Sequence, residues 1–173
     1  IRAKSERRLT ATVTRTLITR YGLRRYNDSF AERNTNFFTV GPRVDYRALD
    51  WLTLTLTYLY ERGLADGHKD TQFADDVSYY LHMVSAGTEV RINRQWDLGF
   101  TYIHRRKTFT SGLAGDTHVG RFDATHQGIA ELRYHMSAAA TVMLSFQYGK
   151  RTSTNALRDF QDSILSIGGQ YRF

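Results

Sequence analysis

Along most of this chain apolar and polar side chains alternate residue by residue. Leu52, Leu54, Leu56, Tyr58 and Tyr60 occupy one parity, and Thr53, Thr55 and Thr57 the other. Ala140, Val142, Leu144, Phe146 and Tyr148 repeat the pattern against Thr141, Ser145, Gln147 and Gly149, and Leu98, Phe100 and Tyr102 stand against Asp97, Gly99 and Thr101. Residues two apart point to different sides of a helix but to the same side of a strand, so the pattern predicts β-structure. It predicts an all-β chain of eight strands, roughly 8–21, 35–47, 51–62, 77–92, 96–106, 122–135, 139–149 and 160–173.

The connections between these strands alternate in length. Short turns fall at 48–50, 93–95 and 136–138, and long polar loops at 22–34, 63–76, 107–121 and 150–159. Turns on one rim and loops on the other are the asymmetry of an antiparallel up-and-down transmembrane β-barrel, which is the fold expected here. The hairpin also recurs in sequence: Leu9, Leu52, Leu98 and Val142 open ascending strands at spacings of 43, 46 and 44 residues. On that repeat Ile1-Arg2-Ala3 takes the place of Tyr46-Arg47-Ala48, just before a short turn, and reads as the end of one more descending strand. Residues 1–173 are therefore expected to be one transmembrane barrel domain, the C-terminal portion of a larger barrel.

Composition adds to this picture. Hydrophobic residues make up 41% of the chain and the mean hydropathy is −0.48. No apolar run reaches the roughly 18 residues of a membrane-spanning helix, but strands that show lipid only every second residue give such an average as well. A single Pro, eleven Tyr and ten Phe suit long strands with aromatic ends, and the lack of Cys removes disulfides and thiolate metal sites. The net charge of +7 invites a nucleic-acid reading. However, the basic residues are spread along the chain rather than gathered in a block, so no nucleic-acid partner is expected. The polar opening Ile1–Arg8 carries no signal-peptide pattern, which places the targeting segment upstream or already removed.

In a membrane wall the apolar parity meets lipid, and its aromatics gather near the strand ends. Tyr58, Tyr60, Tyr102, Phe146 and Tyr148 lie toward the loops, and Tyr46, Trp51, Trp96, Tyr134, Tyr171 and Phe173 toward the turns, as two interfacial girdles would. The other parity is predicted to line a lumen with Arg43, Asp45, Arg47, Glu61, Glu89, Arg91, Glu131, Arg133 and Arg172, together with Asp97 and His135. Arg24, Arg25, Arg62, Arg105, Arg106, Lys107, Lys150 and Arg151 follow the tops of ascending strands. Such a belt faces lipopolysaccharide phosphates, which Arg and Lys bind by charge-assisted hydrogen bonds; the plainer reading is ordinary solvated loop charge. Arg15 breaks the pattern by sharing a parity with Val13 and Leu17, and a lipid-facing Arg at mid-membrane costs about 2–4 kcal/mol.

Catalytic or metal chemistry has little footing. His68 shares a loop with Asp70, Asp75 and Asp76, an arrangement open to acid–base or cation chemistry but also to simple solvation. His104, His118 and His126 flank another loop, and His126 and Ser137 are separated by most of a strand. No H-E-x-x-H spacing or Gly-rich phosphate loop occurs, so no catalytic residue, metal or cofactor is expected.

The last eight residues, Ser166-Ile-Gly-Gly-Gln-Tyr-Arg-Phe173, resemble the C-terminal assembly signal of bacterial outer-membrane barrels, with Gly168, Tyr171 and Phe173 at its specified positions. Val40–Arg47 followed by Trp51–Tyr58 is similar to segments of porin-like β-barrel families of Gram-negative bacteria. The resemblance implies an outer-membrane location, contact with lipid and lipopolysaccharide, and recognition by the barrel-assembly machinery. It implies a porin-like channel, or the barrel wall of a transport or secretion system, passing hydrophilic solutes. The alternative is a non-conducting structural barrel that anchors or houses a lumenal or periplasmic protein, and a barrel enzyme acting on lipid or peptide comes third.

Overall fold

A computed structural model describes residues 1–68 and 75–172. Its strands are β1 (Arg2–Arg8), β2 (Val13–Arg24), β3 (Thr35–Leu49), β4 (Leu52–Ala65), β5 (Tyr79–Arg91), β6 (Trp96–Phe109), β7 (Phe122–His135), β8 (Ala140–Ser153) and β9 (Phe160–Tyr171). They form one antiparallel sheet in chain order, each strand paired with its sequence neighbours. The alternation of short turns and long loops is as the sequence predicts, and two 3-10 segments, Asp28–Arg33 and Ala156–Arg158, lie in loops.

Nine strands stand where eight were predicted. The strand read over 8–21 begins only at Val13, since Arg8 ends β1 and Leu9, expected to open an ascending strand, lies in the turn between them. The strand ending at Ile1–Ala3 runs on to Arg8, with Arg2 opposite Arg20 and Arg8 opposite Thr14. The turn uses side chains in place of Gly or Asn. Thr10 Oγ1 accepts the backbone N–H groups of Thr12 and Val13 at 3.2 and 3.0 Å. The Arg8 guanidinium donates to the carbonyls of Thr10 and Ala11 at 3.2 and 2.9 Å. A hydroxyl turn of this kind carries none of the usual turn dipeptides.

The single proline sits inside a strand, at a place prepared for it. Pro42 pairs across to Leu17, while the β3–β4 pairing passes from Val40–Tyr60 to Arg43–Thr57. At Gly41 the two backbones approach so closely that an added Cβ would stand 1.9 Å from the Tyr58 carbonyl oxygen. Only glycine fits that approach.

The register sorts the side chains onto two faces. One carries Leu54, Leu56, Phe100, Tyr102, Leu144, Phe146, Leu165 and Ile167, all exposed, with Leu56 at 56% and Ile167 at 79%. Its turn-side edge holds Tyr46, the Trp96–Tyr134 pair with ring centroids 4.6 Å apart, and Tyr171. Tyr58, Tyr60, Tyr102 and Tyr148 lie toward its loop-side edge. Phe173 lies outside the described residues. Arg15 does lie on this apolar face, directly across from Arg7 and beside Val44.

The enclosed part of the molecule is at the loop end. Ala65, Tyr79, Phe109 and Leu113 are buried there with Thr35, Asp76, Ser78, Ser111, Asp116, His118, Arg121 and Asp123. Gly63 lets the Tyr79 ring lie over β4, since a Cβ there would fall 2.3 Å from the ring. The sheet is open, with β1 and β9 each paired on one side only.

Candidate functional site

All nine side chains predicted to line a lumen share one face of the sheet, opposite the apolar one. They form three levels. Near the loops, Glu61 is held by three donors: Arg20 Nη2 at 2.8 Å, Thr39 Oγ1 at 2.6 Å and the Tyr79 hydroxyl at 2.6 Å. The same level continues across β6 and β7. Lys107 Nζ lies 4.0 Å from the Tyr79 ring centre and 4.3 Å from that of Phe109. Arg121 grips Asp123 through Nε at 3.0 Å and Nη2 at 2.7 Å, and Ser153 Oγ donates to the same carboxylate at 2.6 Å.

At mid-sheet Arg43 donates through Nε and Nη2 to Asp45 at 2.7–3.0 Å, and Thr55 Oγ1 adds a bond of 2.7 Å. Arg43, Asp45, Thr55, Glu89, Glu131 and Arg133 line a cavity of about 370 Å³. Toward the turns Arg133 pairs with Glu131 and stands 3.4 Å from Glu89. His135 Nε2 lies 2.8 Å from Asp97 Oδ2, and Arg91 Nε lies 3.7 Å from Asp97 Oδ1. Arg47, Arg91 and Arg172 are exposed at this rim. With Arg94 in the turn and Arg133 in β7, five arginines meet the three carboxylates of Glu89, Asp97 and Glu131, so the turn-side rim carries excess positive charge.

The predicted basic belt is divided. Arg62, Arg106 and Lys150 lie on the apolar side, Arg62 over Tyr80 and Arg106 over Phe122. Arg24, Arg105, Lys107 and Arg151 face the charged side, where Arg105 donates to Gln127 Oε1 at 3.0 Å. Arg25 is in a loop, 4.0 Å from Asp66. The reason is the two-residue period of a strand: Arg105, Arg106 and Lys107 cannot all point one way. In place of the missing cations the apolar face has an imidazole–phenol row. Tyr58 hydrogen-bonds His82 at 2.8 Å, Tyr102 hydrogen-bonds His126 at 2.6 Å, and the His104 and His126 rings lie tilted with centres 4.6 Å apart.

His118 does not join those histidines. It sits in the loop cap, its ring centre 4.7 Å from that of Phe109. Its Nδ1 lies 2.9 Å from Asp116 Oδ1 and 3.2 Å from Asp75 Oδ1. Asp116 Oδ2 accepts the Asp76 backbone N–H at 2.9 Å, and Arg33 Nε holds Asp75 Oδ2. Burial pushes the Asp116 carboxyl up, but hydrogen bonds from Ser111, the Asp76 backbone and His118 outweigh it and hold the group below its ordinary value. His68 Nδ1 lies 2.8 Å from Asp76 Oδ2, as their shared loop suggested, whereas Asp70 lies outside the described residues. Residues from three separate loops thus converge here, a meeting that no local spacing in the sequence announces.

Of the assembly-signal residues, Gly168 stands opposite Met143 on the charged face, and Tyr171, the last residue of β9, opposite Ala140 on the apolar one. No protein-family model and no curated protein sequence matches this chain, so the family likeness rests on the motifs themselves.

Proposed function

We propose that this chain forms the wall of a porin-like barrel in the outer membrane of a Gram-negative bacterium, passing hydrophilic solutes along its charged face. One observation carries the reading: a single-layer sheet separates an exposed apolar face from a charged one. A soluble sheet covers its apolar face with a second layer, and among the described residues no element packs over Leu56, Phe100, Leu144 or Ile167. Lipid is the natural cover for such a surface, and the aromatic rings at its two edges suit the membrane interfaces.

Lipid cannot satisfy open strand edges, so the reading requires β1 and β9 to be joined through further strands. A barrel of roughly 12 strands or more leaves an aqueous lumen, whereas about eight leave one filled by side chains. Charge at the lumen wall then sets ion preference, and the arginine excess at the turn-side rim favours anions. The short turns would face the periplasm and the loop cap the outside. The assembly-signal pattern supports folding by the barrel-assembly machinery, and Arg62, Arg106 and Lys150 are the cations placed to meet lipopolysaccharide phosphates.

A second reading, a non-conducting barrel that anchors or houses a lumenal or periplasmic protein, has one observation in its favour. At the loop end Arg20, Glu61, Arg121 and Asp123 already neutralise one another across the charged face. Single-channel recording of the purified protein in a planar bilayer separates the two. Steady ohmic conductance with anion preference supports the channel; a silent inserted barrel that retains a bound protein through purification supports the housing.

A further inference from the structure

Among the described residues, the loop cap gathers more negative charge than its permanent cations balance. Asp75, Asp76 and Asp116 have side chains 21%, 1% and 0% exposed. Among the described residues, the Arg33 guanidinium is the one permanent cation bonded to any of the three. Enclosed carboxylates need a partner charge. Two imidazoles, His68 and His118, lie directly against these carboxylates.

The atoms around His118 are also arranged as ligands. Asp75, Asp116 and His118 each offer one ligand atom within 4.8 Å of the other two, and His118 Nδ1 is 3.2 Å from Asp75 Oδ1 and 2.9 Å from Asp116 Oδ1. Donors about 2.1 Å from a shared ion stand about 3.0–3.4 Å apart in octahedral or tetrahedral sites. The other oxygen of each carboxylate is occupied, by Arg33 on Asp75 and by the Asp76 N–H on Asp116. Outer donors of this kind fix the orientation of the ligating side chains in metal sites. Phe109 backs the His118 ring and sets its direction.

We propose that Asp75, Asp116 and His118 bind one divalent transition-metal ion, clamping the loop between β4 and β5 to the loop between β6 and β7. A mixed carboxylate–imidazole donor set suits Zn²⁺ or Mn²⁺, while Ca²⁺ asks for six to eight oxygens that this site does not offer. The ion supplies the missing positive charge, and Asp75, the most accessible of the three ligands, gives it a path from solvent.

The test is calorimetric titration of Zn²⁺ into the chelator-treated protein in detergent micelles, repeated with Co²⁺ and followed by its visible absorption. The expected result is one saturable equivalent, with affinity at least about tenfold weaker in His118→Ala and in Asp75→Asn. A His104→Ala/His126→Ala double variant, which removes the histidine pair on the apolar face, should bind like the wild type. Asp75 is partly exposed and its replacement leaves the Asp116–Asp76 bond in place, so loss in that variant is not simple collapse of the cap. The proposal is overturned by absence of saturable Zn²⁺ uptake. It is equally overturned by uptake indifferent to both ligand variants, by loss confined to the His104/His126 variant, or by saturation with Ca²⁺ alone.

Discussion

The Tyr79 hydroxyl donates to Glu61 Oε1 at 2.6 Å across the β4–β5 ladder, and both residues are buried. The ring reaches that carboxylate because it lies over Gly63. Tyr79→Phe removes one of three donors and should cost about 1–2 kcal/mol. Glu61→Ala leaves the Thr39 and Tyr79 hydroxyls without their acceptor and should cost more, about 2–3 kcal/mol. Arg20 adds little to that figure because its half-exposed side chain is screened by solvent. Urea unfolding midpoints in detergent micelles check the order; equal losses for the two variants would contradict it.

Gly41 and Gly128 make a matched pair. A Cβ at Gly41 meets the Tyr58 carbonyl at 1.9 Å, whereas one at Gly128 meets nothing within 4 Å. Gly41→Ala should therefore destabilise by about 2–3 kcal/mol, as overpacking does. Gly128→Ala should fall within about 0.5 kcal/mol of wild type. The same unfolding assay reads both.

Leu144 and Ser145 are adjacent but face opposite sides, Leu144 beside Leu132 and Ser145 beside Glu131. If the apolar face meets lipid, Leu144→Lys should lower insertion stability by about 2–4 kcal/mol, and Ser145→Lys should be tolerated. Refolding yield into liposomes gives the comparison. A result in which both substitutions are equally harmless would remove the membrane assignment of this face.

The turn-side rim offers a selectivity test. Replacing Arg47, Arg91 and Arg172 by Gln leaves Glu89, Asp97 and Glu131 against Arg94 and Arg133, which turns the rim from a cationic excess to an anionic one. In a channel, the reversal potential under a salt gradient should move toward cation preference. An unchanged potential would mean that ions do not pass this rim.

How much of this was legible beforehand depended on whether a signal was local. The strands from β3 to β9 announce themselves because alternation is a property of neighbouring residues, and so does the placing of Glu61, Arg133 and Arg172 on one face. The turn of the β1–β2 hairpin follows Arg8 rather than Ala3, a shift the sequence does not signal because Thr10 and Arg8 build the turn from residues equally at home in strands. Prediction also ended β4 at 62 and β6 at 106, while the ladders continue to Ala65 and Phe109. There Gly63, Ala65 and Phe109 put small or apolar residues on the parity that is polar lower down, and the alternation fades. The Asp75–Asp116–His118 cluster joins loops some forty residues apart, and its spacing matches no short motif.

Every strand lies beside its neighbour in sequence, so the widest ladder pairs, Leu52 with Val90 and Trp96 with Tyr134, span 38 residues. The bonds from Arg33 to Asp75 and from Asp76 to Asp116 reach 42 and 40 residues and tie one hairpin's loop to the next. A chain wired this way can be assembled like a zip, one tooth engaging the last, with no early search for a distant partner. It can also gain or lose a whole hairpin between generations of genes without disturbing the rest. In the closed barrel proposed above, such a change would alter the circumference, and with it the size of the space enclosed.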